Sequence, residues 1–457
     1  MEAIETSITP DTQGLFGHPR GLTTLFFTEL WERFSYYGMR TLLILYMTAS
    51  AAQGGLGFSI PHAASVYGTY TMSVYLLALP GGFLADRLLG ARWAVLMGGL
   101  VIATGHFAMT MAPLPCFYTG LTLIAVGTGL LKPNISAMVG GLYAPGDPRR
   151  DSGFSLFFLG INLGVILAGL VCSYLAQSEG FKAMLVLAGF DPTRSWHWGF
   201  GAAGVGMAIG LVQYVTGQHR LGGVGLKATR GAVASPPAPP LTRRDWQRMA
   251  AIFILFAFTI VFGTASEQAG SSLNLFADRL TRTEIGGRAF PSGWFQALPG
   301  LYVLLLAPLF SLLWIRLGNR QPSSPAKFSL SLLFLGLSFL LMVPACLVAT
   351  RGAVSPLWLL GVFFLLEVGS VVLNTVGLST VTRLAPPRLV GVMMGVWFLA
   401  SAVASKIAGY FAGMFDENQP ERMAHLFGFV SLYVLLAAGL LALLTPFVRR
   451  LMGEGSR

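Results

Sequence analysis

The chain repeats one feature along its whole length, a long apolar run closed by a short polar stretch. Each run is long enough for an α-helix to cross the hydrocarbon core of a bilayer, which takes roughly 20 residues at about 1.5 Å per residue. The runs cover residues 22–48, 60–85, 91–112, 115–142, 152–176, 197–217, 246–276, 293–317, 327–349, 356–383, 389–414 and 423–448. The sequence therefore predicts twelve transmembrane helices.

The composition agrees with a membrane protein of many spans and argues against a soluble enzyme. Hydrophobic residues make up 54% of the chain and charged residues 11%, whereas an ordinary soluble domain has about 25% charged residues. The sequence contains no phosphate-binding loop, nucleotide fingerprint or catalytic triad, so we do not expect an enzyme. The cysteines and histidines show no metal-ligand spacing, and neither a metal site nor a bound cofactor is predicted.

The distribution of basic residues orients the predicted helices. The formal net charge is +11, and most of the 30 Lys and Arg residues fall in loops on one side when twelve helices are threaded through a bilayer. Because basic loops stay in the cytoplasm, both termini are predicted to be cytoplasmic, in a multi-pass protein of the cell inner (plasma) membrane. The basic balance is thus a topology signal, and no nucleic-acid partner is expected.

A polar, basic and proline-rich stretch at residues 218–245 divides the predicted helices six against six. We expect a flexible cytoplasmic linker there, between an N-terminal bundle, residues 1–217, and a C-terminal bundle, residues 246–457. The loop after the second helix, GGFLADRLLGARW, has a Gly, Asp and Arg pattern that FSLLWIRLGNRQPSS repeats weakly after the eighth. This layout resembles the major facilitator superfamily, an all-α membrane fold with two six-helix halves around a central site.

The first predicted helix carries four formal charges, at Glu29, Glu32, Arg33 and Arg40. A charge near the bilayer centre costs roughly 2.5–3.5 kcal/mol even on the most lenient insertion scale. At helical spacing Glu29, Arg33, Tyr36 and Arg40 share one face of the helix. The sequence therefore predicts that this face lines an aqueous cavity.

The helical rise sorts the intramembrane charges into two layers. The inner layer consists of Glu29, Glu32, Arg33 and, from the fourth helix, Lys132. The outer layer consists of Arg40 and, from the seventh helix, Glu267. Ion pairs that form and break alternately suit an alternating-access carrier, and protonation of a carboxylate breaks such a pair directly.

Four sequence motifs then point to one family. They are ELWERFSYY at 29–37, GTGLLKPNIS at 127–136, RRDSGFSLFFLGINLG at 149–164 and SEQAGSSL at 266–273. In this order they resemble the proton-dependent oligopeptide transporter family. The resemblance implies a symporter that imports di- and tripeptides with H⁺ as the coupling ion, without a cofactor, in contact with the lipid bilayer. We expect a monomer.

The resemblance also implies roles for individual residues. The implied proton-coupling residues are Glu29, Glu32 and Glu267. The implied substrate-binding residues are Arg33, Tyr36, Tyr37, Tyr75, Lys132, Asn162, Trp397 and Ser401. The implied gate salt bridges involve Arg40, Glu267 and Lys132.

The tenth helix departs from the family pattern. Its GSVVLNTVGLS places Ser370 where the family has an acid that meets the peptide's amino end, and Pro299 replaces a family asparagine in the eighth helix. Glu367 lies one turn before Ser370 and could replace that acid, pair with Lys406 of the eleventh helix, or only pack. Two other functions therefore stay open, a proton-coupled carrier of a non-peptide small organic anion and a non-transporting sensor on the same fold.

Overall fold

The protein is almost entirely helical. The structure, a computed structural model, describes residues 11–144, 146–227, 241–374, 377–386 and 389–453. Helices α1 to α7 are Arg20–Thr48, Ile60–Leu84, Ala91–Met109, Leu114–Gly141, Arg149–Gln177, Glu179–Leu187 and Ser195–Gly217. Helices α8 to α15 are Arg243–Ser266, Ser272–Arg279, Leu298–Leu317, Ser324–Ala349, Leu357–Asn374, Gly377–Leu384, Val390–Ala412 and Pro420–Met452. One short hairpin pairs Glu284–Ile285 (β1) with Arg288–Ala289 (β2).

Within these described ranges, eleven helical segments are long and apolar enough to cross a membrane. This finding establishes a multi-pass membrane protein. Helix α1 is not among the eleven, although its 29 residues are sufficient in length. The charges of Glu29, Glu32, Arg33 and Arg40 within α1 account for the difference from the predicted twelve, because they lower its apolar character.

Several predicted spans are interrupted near one end. Helix α8 ends at Ser266, and the chain continues through a 3-10 turn, Glu267–Gly270, before α9 begins. Side chains satisfy carbonyl groups around the break: Gln296 Nε2 donates to the Ala269 oxygen at 2.8 Å, and Ser271 Oγ donates to the Glu267 oxygen at 3.3 Å. Such satisfaction is what allows an irregular backbone inside a membrane.

The helices pack in two groups. In the first, α1 lies against α5 and α7, and α4 lies against α2 and α3. In the second, α11 lies against α12 and α15, and α8 lies against α14 and α15. The groups meet where α2 packs on α14 and where α5 packs on α10 and on the 3-10 turn Ser292–Ala297 that precedes it.

The two ends of the bundle differ in how the groups are joined. We call the end that holds Gly217 and Arg243 the linker end, and the opposite one the far end. Described hydrogen bonds between the groups gather at the far end: Lys406 Nζ donates to Thr69 Oγ1 at 2.7 Å, Asn274 Nδ2 to the Thr41 oxygen at 2.8 Å, Gln177 Nε2 to Ser292 Oγ at 2.8 Å and Trp294 Nε1 to the Leu170 oxygen at 3.2 Å. The far end is therefore closed.

The predicted flexible linker is folded at both of its ends. Residues 218–227 lie against α3, where Arg92 donates from Nε to the Val224 oxygen at 2.7 Å and from its backbone nitrogen to the Gly225 oxygen at 2.9 Å. The last residues of 218–245 already belong to α8, whose start Thr242 caps. The middle, 228–240, lies outside the described residues.

Candidate functional site

A cavity of about 340 Å³ lies between the two helix groups. The first group contributes α1, α2 and α5 to its wall, and the second contributes α8 with the turn after it, α10 and α12. Its polar lining consists of Tyr37, Arg40, Thr41, Tyr75, Asn162, Ser266, Glu267, Gln296, Glu367, Ser370 and Asn374. The cavity thus offers both charges and several hydrogen-bonding groups to one small ligand.

The charged face of α1 forms a buried ion cluster. Arg33 Nε lies 3.1 Å from Glu29 Oε1, and Arg33 also bonds the neighbouring Glu32 carboxylate. The exposed fractions of Glu29, Glu32 and Arg33 are only 3%, 0% and 4%. One guanidinium shared by two carboxylates leaves the cluster with a net negative charge, which a bound proton or a second cation can neutralise.

This cluster is not saturated. Glu29 Oε2, Glu32 Oε1 and Arg33 Nη2 are buried and have no hydrogen-bond partner among the residues that the structure describes. Buried polar atoms are nearly always paired in folded proteins, and unpaired ones call for a functional explanation. The cluster therefore has unused capacity to take up a proton or an anionic group.

Lys132 stands apart from the predicted salt bridges. Its Nζ lies 4.9 Å from the ring centre of Tyr75, and no carboxylate of the described residues lies within 4.0 Å of it. Arg33 bonds one oxygen of each of the two acids predicted at this depth, Glu29 and Glu32. The predicted Lys132 salt bridge is not formed among the described residues of this conformation, where the ammonium faces an aromatic ring, and its role in the gate stays a prediction.

The predicted outer layer is present as a contact. Arg40 Nη2 bonds the Glu267 carboxylate, and Arg40 Nε donates to the Tyr67 hydroxyl at 2.6 Å. Glu267 opens the 3-10 turn that interrupts the span of α8, so the ion pair joins α1 to the second helix group. Its role as a gate stays a prediction.

The aromatic and amide residues predicted to bind substrate divide into two sets. Tyr37, Tyr75 and Asn162 line the cavity. Asn162 Nδ2 donates to the Phe158 oxygen at 2.8 Å, so its donor is engaged within α5. Tyr36 is buried behind the lining, with Arg33 Cζ 5.2 Å from its ring centre.

Trp397 and Ser401 lie away from the cavity lining in this conformation. The Trp397 ring is 5.8 Å from that of Phe256, and a Cβ on Gly377 would meet it at 2.9 Å. Ser401 Oγ donates to the Trp397 oxygen at 3.2 Å. Both therefore contact helices of their own group, and the pocket predicted for them stays a prediction.

Glu367 is a nearly buried acid on the cavity wall, with an exposed fraction of 7%. No Lys or Arg of the described ranges forms an ion pair with it. Lys406 is exposed and bonds Thr69 across the α2–α14 contact instead, so the predicted alternative of a Glu367–Lys406 pair is wrong. Ser370 Oγ donates a hydrogen bond to the Leu366 oxygen at 3.1 Å. Glu367 is therefore the acidic side chain that α12 contributes to the cavity wall.

Sequence reasoning missed several residues of the site, among them Tyr67, Gln296 and Asn374. Tyr67 accepts, through its hydroxyl, the hydrogen bond of Arg40 Nε, while Arg40 Nη2 bonds Glu267. Gln296 and Asn374 line the cavity. Each is a polar residue in an otherwise apolar predicted span, and this pattern could have indicated them. The nearby charged residues determined the sequence-based prediction instead.

A membrane protein with many spans, a closed end and opposed charges around a central cavity has the architecture of a small-molecule transporter. The family model for the POT family matches residues 92–226 and 241–426. The chain therefore belongs to the POT family of transporters and is not an enzyme.

Relatives from several bacteria support this assignment over nearly the full chain. "Uncharacterized transporter YclF" of Bacillus subtilis is 39% identical, with 96% of each chain covered. "Peptide transporter YePEPT" of Yersinia enterocolitica is 36% identical, with 98% of each covered. A "Di-/tripeptide transporter" of Lactococcus lactis is 32% identical, with 96% of this chain and 97% of the relative covered.

Solved structures agree in fold. A mutant of a peptide transporter POT in complex with alafosfalin superposes with a TM-score of 0.86 at 36% identity, covering 97% of each chain. A POT family transporter in complex with 5-aminolevulinic acid superposes with a TM-score of 0.85 at 29% identity, covering 96% of this chain and 98% of that one.

Proposed function

We propose that this protein is a proton-coupled symporter that imports di- and tripeptides by alternating access. The observation that carries the proposal is the cavity between the helix groups, which Arg40 and Glu267 close by an ion pair at one side. Relatives named as peptide and di-/tripeptide transporters support the substrate class. Protons serve as the coupling ion, and no cofactor takes part.

The proposed architecture has twelve spans in two six-helix halves, residues 1–217 and 246–457, with 218–245 between them. Helix α1 is the additional span, since it lies against α5 and α7 and its charges pair internally or across the cavity. The protein is a monomer of the inner membrane. Both termini and the linker end lie in the cytoplasm, on the side where the sequence concentrates its basic loops.

The transport cycle begins at the closed far end, which faces outward. A proton arriving at Glu267 cancels the charge that holds Arg40, so the ion pair separates and the far end opens. The hydrogen bond that Arg40 Nε donates to the Tyr67 hydroxyl keeps the released guanidinium in place at the cavity wall. The cavity is then accessible to peptide from outside.

Peptide binding then changes the ion pairs of the buried cluster. The peptide carboxylate is drawn to Lys132, whose ammonium has no carboxylate partner among the described residues, and to Arg33. A new anion on Arg33 competes with Glu29 and Glu32, which lets one of them take up a proton. Loosening of the cluster allows the linker end to open and release the peptide.

The uncharged predicted residues shape the pocket. Tyr37, Tyr75 and Asn162 line the cavity and would contact the peptide backbone and side chains. Tyr36 supports Arg33 from behind. We propose that Trp397 and Ser401 reach the peptide side chain in another state of the cycle.

Glu367 completes the proposed binding site. Its carboxylate faces the cavity without an ion-pair partner in the described ranges, as the amino end of a peptide would require. It takes the place of the family's acid, which Ser370 replaces one turn further along α12. Opposed charges at Glu367 and Lys132 would hold a zwitterionic peptide by its two ends.

Uptake of labelled di-alanine into liposomes that contain the pure protein tests this function. The lumen is made alkaline and electrically negative relative to the outside. We expect accumulation that collapses when a protonophore is added, and none in empty liposomes. Absence of accumulation, with thermal stabilisation by another small organic acid, would contradict peptide transport and favour a non-peptide substrate.

A further inference from the structure

A second large concavity lies on the outer surface of the bundle, away from the transport cavity. It has a volume of about 660 Å³ and runs beside α7. Its apolar wall includes Trp31, Phe34, Phe107, Val205 and Ile209. In a membrane protein this surface faces lipid, so the natural occupant is an acyl chain.

The groove extends from the far end toward the middle of the membrane. From Arg194, just before α7, to Ile209 the helical rise amounts to roughly 22 Å, which exceeds the roughly 15 Å of one half of the hydrocarbon core. Its mouth carries the aromatic rings of Phe190 and Trp198, 5.6 Å apart and both exposed. Aromatic residues of this kind collect at membrane interfaces. The groove thus follows the depth of one leaflet and opens at headgroup level.

The mouth also offers a cationic site. Arg194 lines the groove, and none of the described carboxylates forms an ion pair with it. Its neighbour Asp191 instead accepts hydrogen bonds from the Thr193 backbone at 2.9 Å and hydroxyl at 2.7 Å. The positive end of the α7 dipole lies at the same place, since the 23-residue helix begins at Ser195.

His197 supplies an independent sign of a missing ligand. It lines the groove one turn into α7, and both of its ring nitrogens are buried without a hydrogen-bond partner of good geometry among the described residues. Such a pair of unsatisfied nitrogens is costly unless a polar group meets them. An anion beside Arg194 would be within the reach of this ring.

We propose that the groove binds one anionic phospholipid. The phosphate lies against Arg194 and His197 at the far end, and an acyl chain lies along α7 over Val205 to Trp31. Because Trp31 belongs to α1, the bound lipid contacts the helix that carries the ion cluster. The apolar wall of the groove explains why it binds the acyl chain. Arg194, which has no ion-pair partner among the described residues, explains the preference for a negative headgroup.

Thermal unfolding of the detergent-purified protein with added lipid tests the proposal. Phosphatidylglycerol is compared with phosphatidylcholine of the same chains and with inorganic phosphate alone. We expect phosphatidylglycerol to raise the midpoint temperature most, and inorganic phosphate to have no effect. In Arg194→Gln the half-saturating phosphatidylglycerol concentration should rise about tenfold or more, as for loss of a charge-assisted hydrogen bond.

Matched variants separate this site from general charge and bulk. Arg282→Gln removes an exposed charge at the same end outside the groove, and Arg194→Lys retains the charge; both should keep the lipid preference. Val205→Trp fills the groove and should abolish stabilisation, whereas Val212→Trp, at an exposed position of α7 outside the groove lining, should not. An unchanged phosphatidylglycerol effect in both Arg194→Gln and Val205→Trp, or an equal effect of inorganic phosphate, would overturn the proposal.

Discussion

Gly68 of α2 and Gly409 of α14 bring the two helix groups into backbone contact near the far end. A Cβ atom on Gly68 would lie 2.9 Å from the Gly409 Cα atom, closer than packed side chains allow. The far end therefore closes only because neither position has a side chain.

A larger residue at this contact should favour the state that is open at the far end. Gly68→Leu would add overpacking of about 1–3 kcal/mol to the closed state, which shifts the balance of states at least about fivefold. We expect faster labelling of a cysteine placed at Ser370, in the cavity, by an impermeant maleimide added outside. Gly391→Leu is the control, since no atom of the described residues would lie within 4 Å of a Cβ on Gly391 of α14. Equal labelling in both variants would contradict the expectation.

The ion pair between Arg40 and Glu267 predicts how proton coupling can be lost. Glu267→Gln keeps the shape of the side chain but removes the charge that holds Arg40, so it imitates the protonated state. We expect uphill uptake of di-alanine to fall at least about tenfold, as for a lost charged hydrogen bond, while exchange of labelled for unlabelled peptide continues.

A matched carboxylate separates this effect from a general loss of negative charge. Glu284→Gln changes an exposed acid of the β1–β2 hairpin at the far end. It should leave uphill uptake unchanged. Retained proton-driven uptake in Glu267→Gln would show that this pair is not a proton-coupling gate.

Lys132 should recognise the carboxylate of the substrate. Lys132→Met removes an ammonium that contacts the Tyr75 ring, and binding of di-alanine should weaken about tenfold or more. Di-alanine amide, which lacks the carboxylate, should bind the variant and the parent protein equally. The control is Lys327→Met, because Lys327 also contacts an aromatic ring, 4.0 Å from that of Trp314, but belongs to α11, which contributes no described residue to the cavity lining, whereas Lys132 contacts the lining residue Tyr75. Equal weakening for both ligands would argue against carboxylate recognition.

Glu367 should recognise the amino end. Glu367→Gln is expected to weaken competition by di-alanine about tenfold or more, since an ammonium–carboxylate contact is lost. Competition by N-acetyl-di-alanine should be low in both proteins and unaffected by the substitution. Glu284→Gln, which changes an exposed acid of the β1–β2 hairpin, should change neither value. A variant that binds free peptide as tightly as the parent protein would exclude this role.

His18 predicts a pH-dependent contact outside the membrane helices. Its Nδ1 lies 2.8 Å from the Tyr143 hydroxyl, and burial, with the Arg149 cation second, lowers the pKa of His18. The neutral ring therefore stabilises the docked residues 11–19 fully above the unfolded pKa of about 6.5, and this stability is lost as the pH falls below it.

Hydrogen exchange in this segment should increase on acidification beyond the intrinsic rate. His18→Gln should remove the excess and the exposed-site control His219→Gln should not; an identical excess in all three would refute the assignment.

The sequence was sufficient to predict contacts that depend on helical geometry alone. The shared face of Glu29 and Arg33 follows from a spacing of four residues, and the pair lies 3.1 Å apart. The common depth of Arg40 and Glu267 follows from the rise per residue, and their side chains meet. Helix period and membrane thickness are properties of the sequence itself, so these contacts could be predicted.

Other contacts depend on competition between side chains and on the state of the transporter. The predicted depth of Lys132 matches that of Glu29, but in this conformation its ammonium contacts the Tyr75 ring, which spacing does not reveal. The side chain of Trp397 packs on Phe256 because of how α14 meets α8 in this conformation. The groove with unpaired Arg194 arises from several helices together, so no single segment predicts it.

The most direct test of proton–peptide coupling measures the proton rather than the peptide. Liposomes containing the protein and a trapped pH-sensitive dye, with no initial pH difference, are given an inward gradient of di-alanine under an inside-negative potential. Symport predicts that the lumen acidifies as peptide enters, and that Glu267→Gln transports peptide without acidification. Entry of peptide into the parent liposomes with no change of lumen pH would contradict the coupling on which the proposed cycle depends.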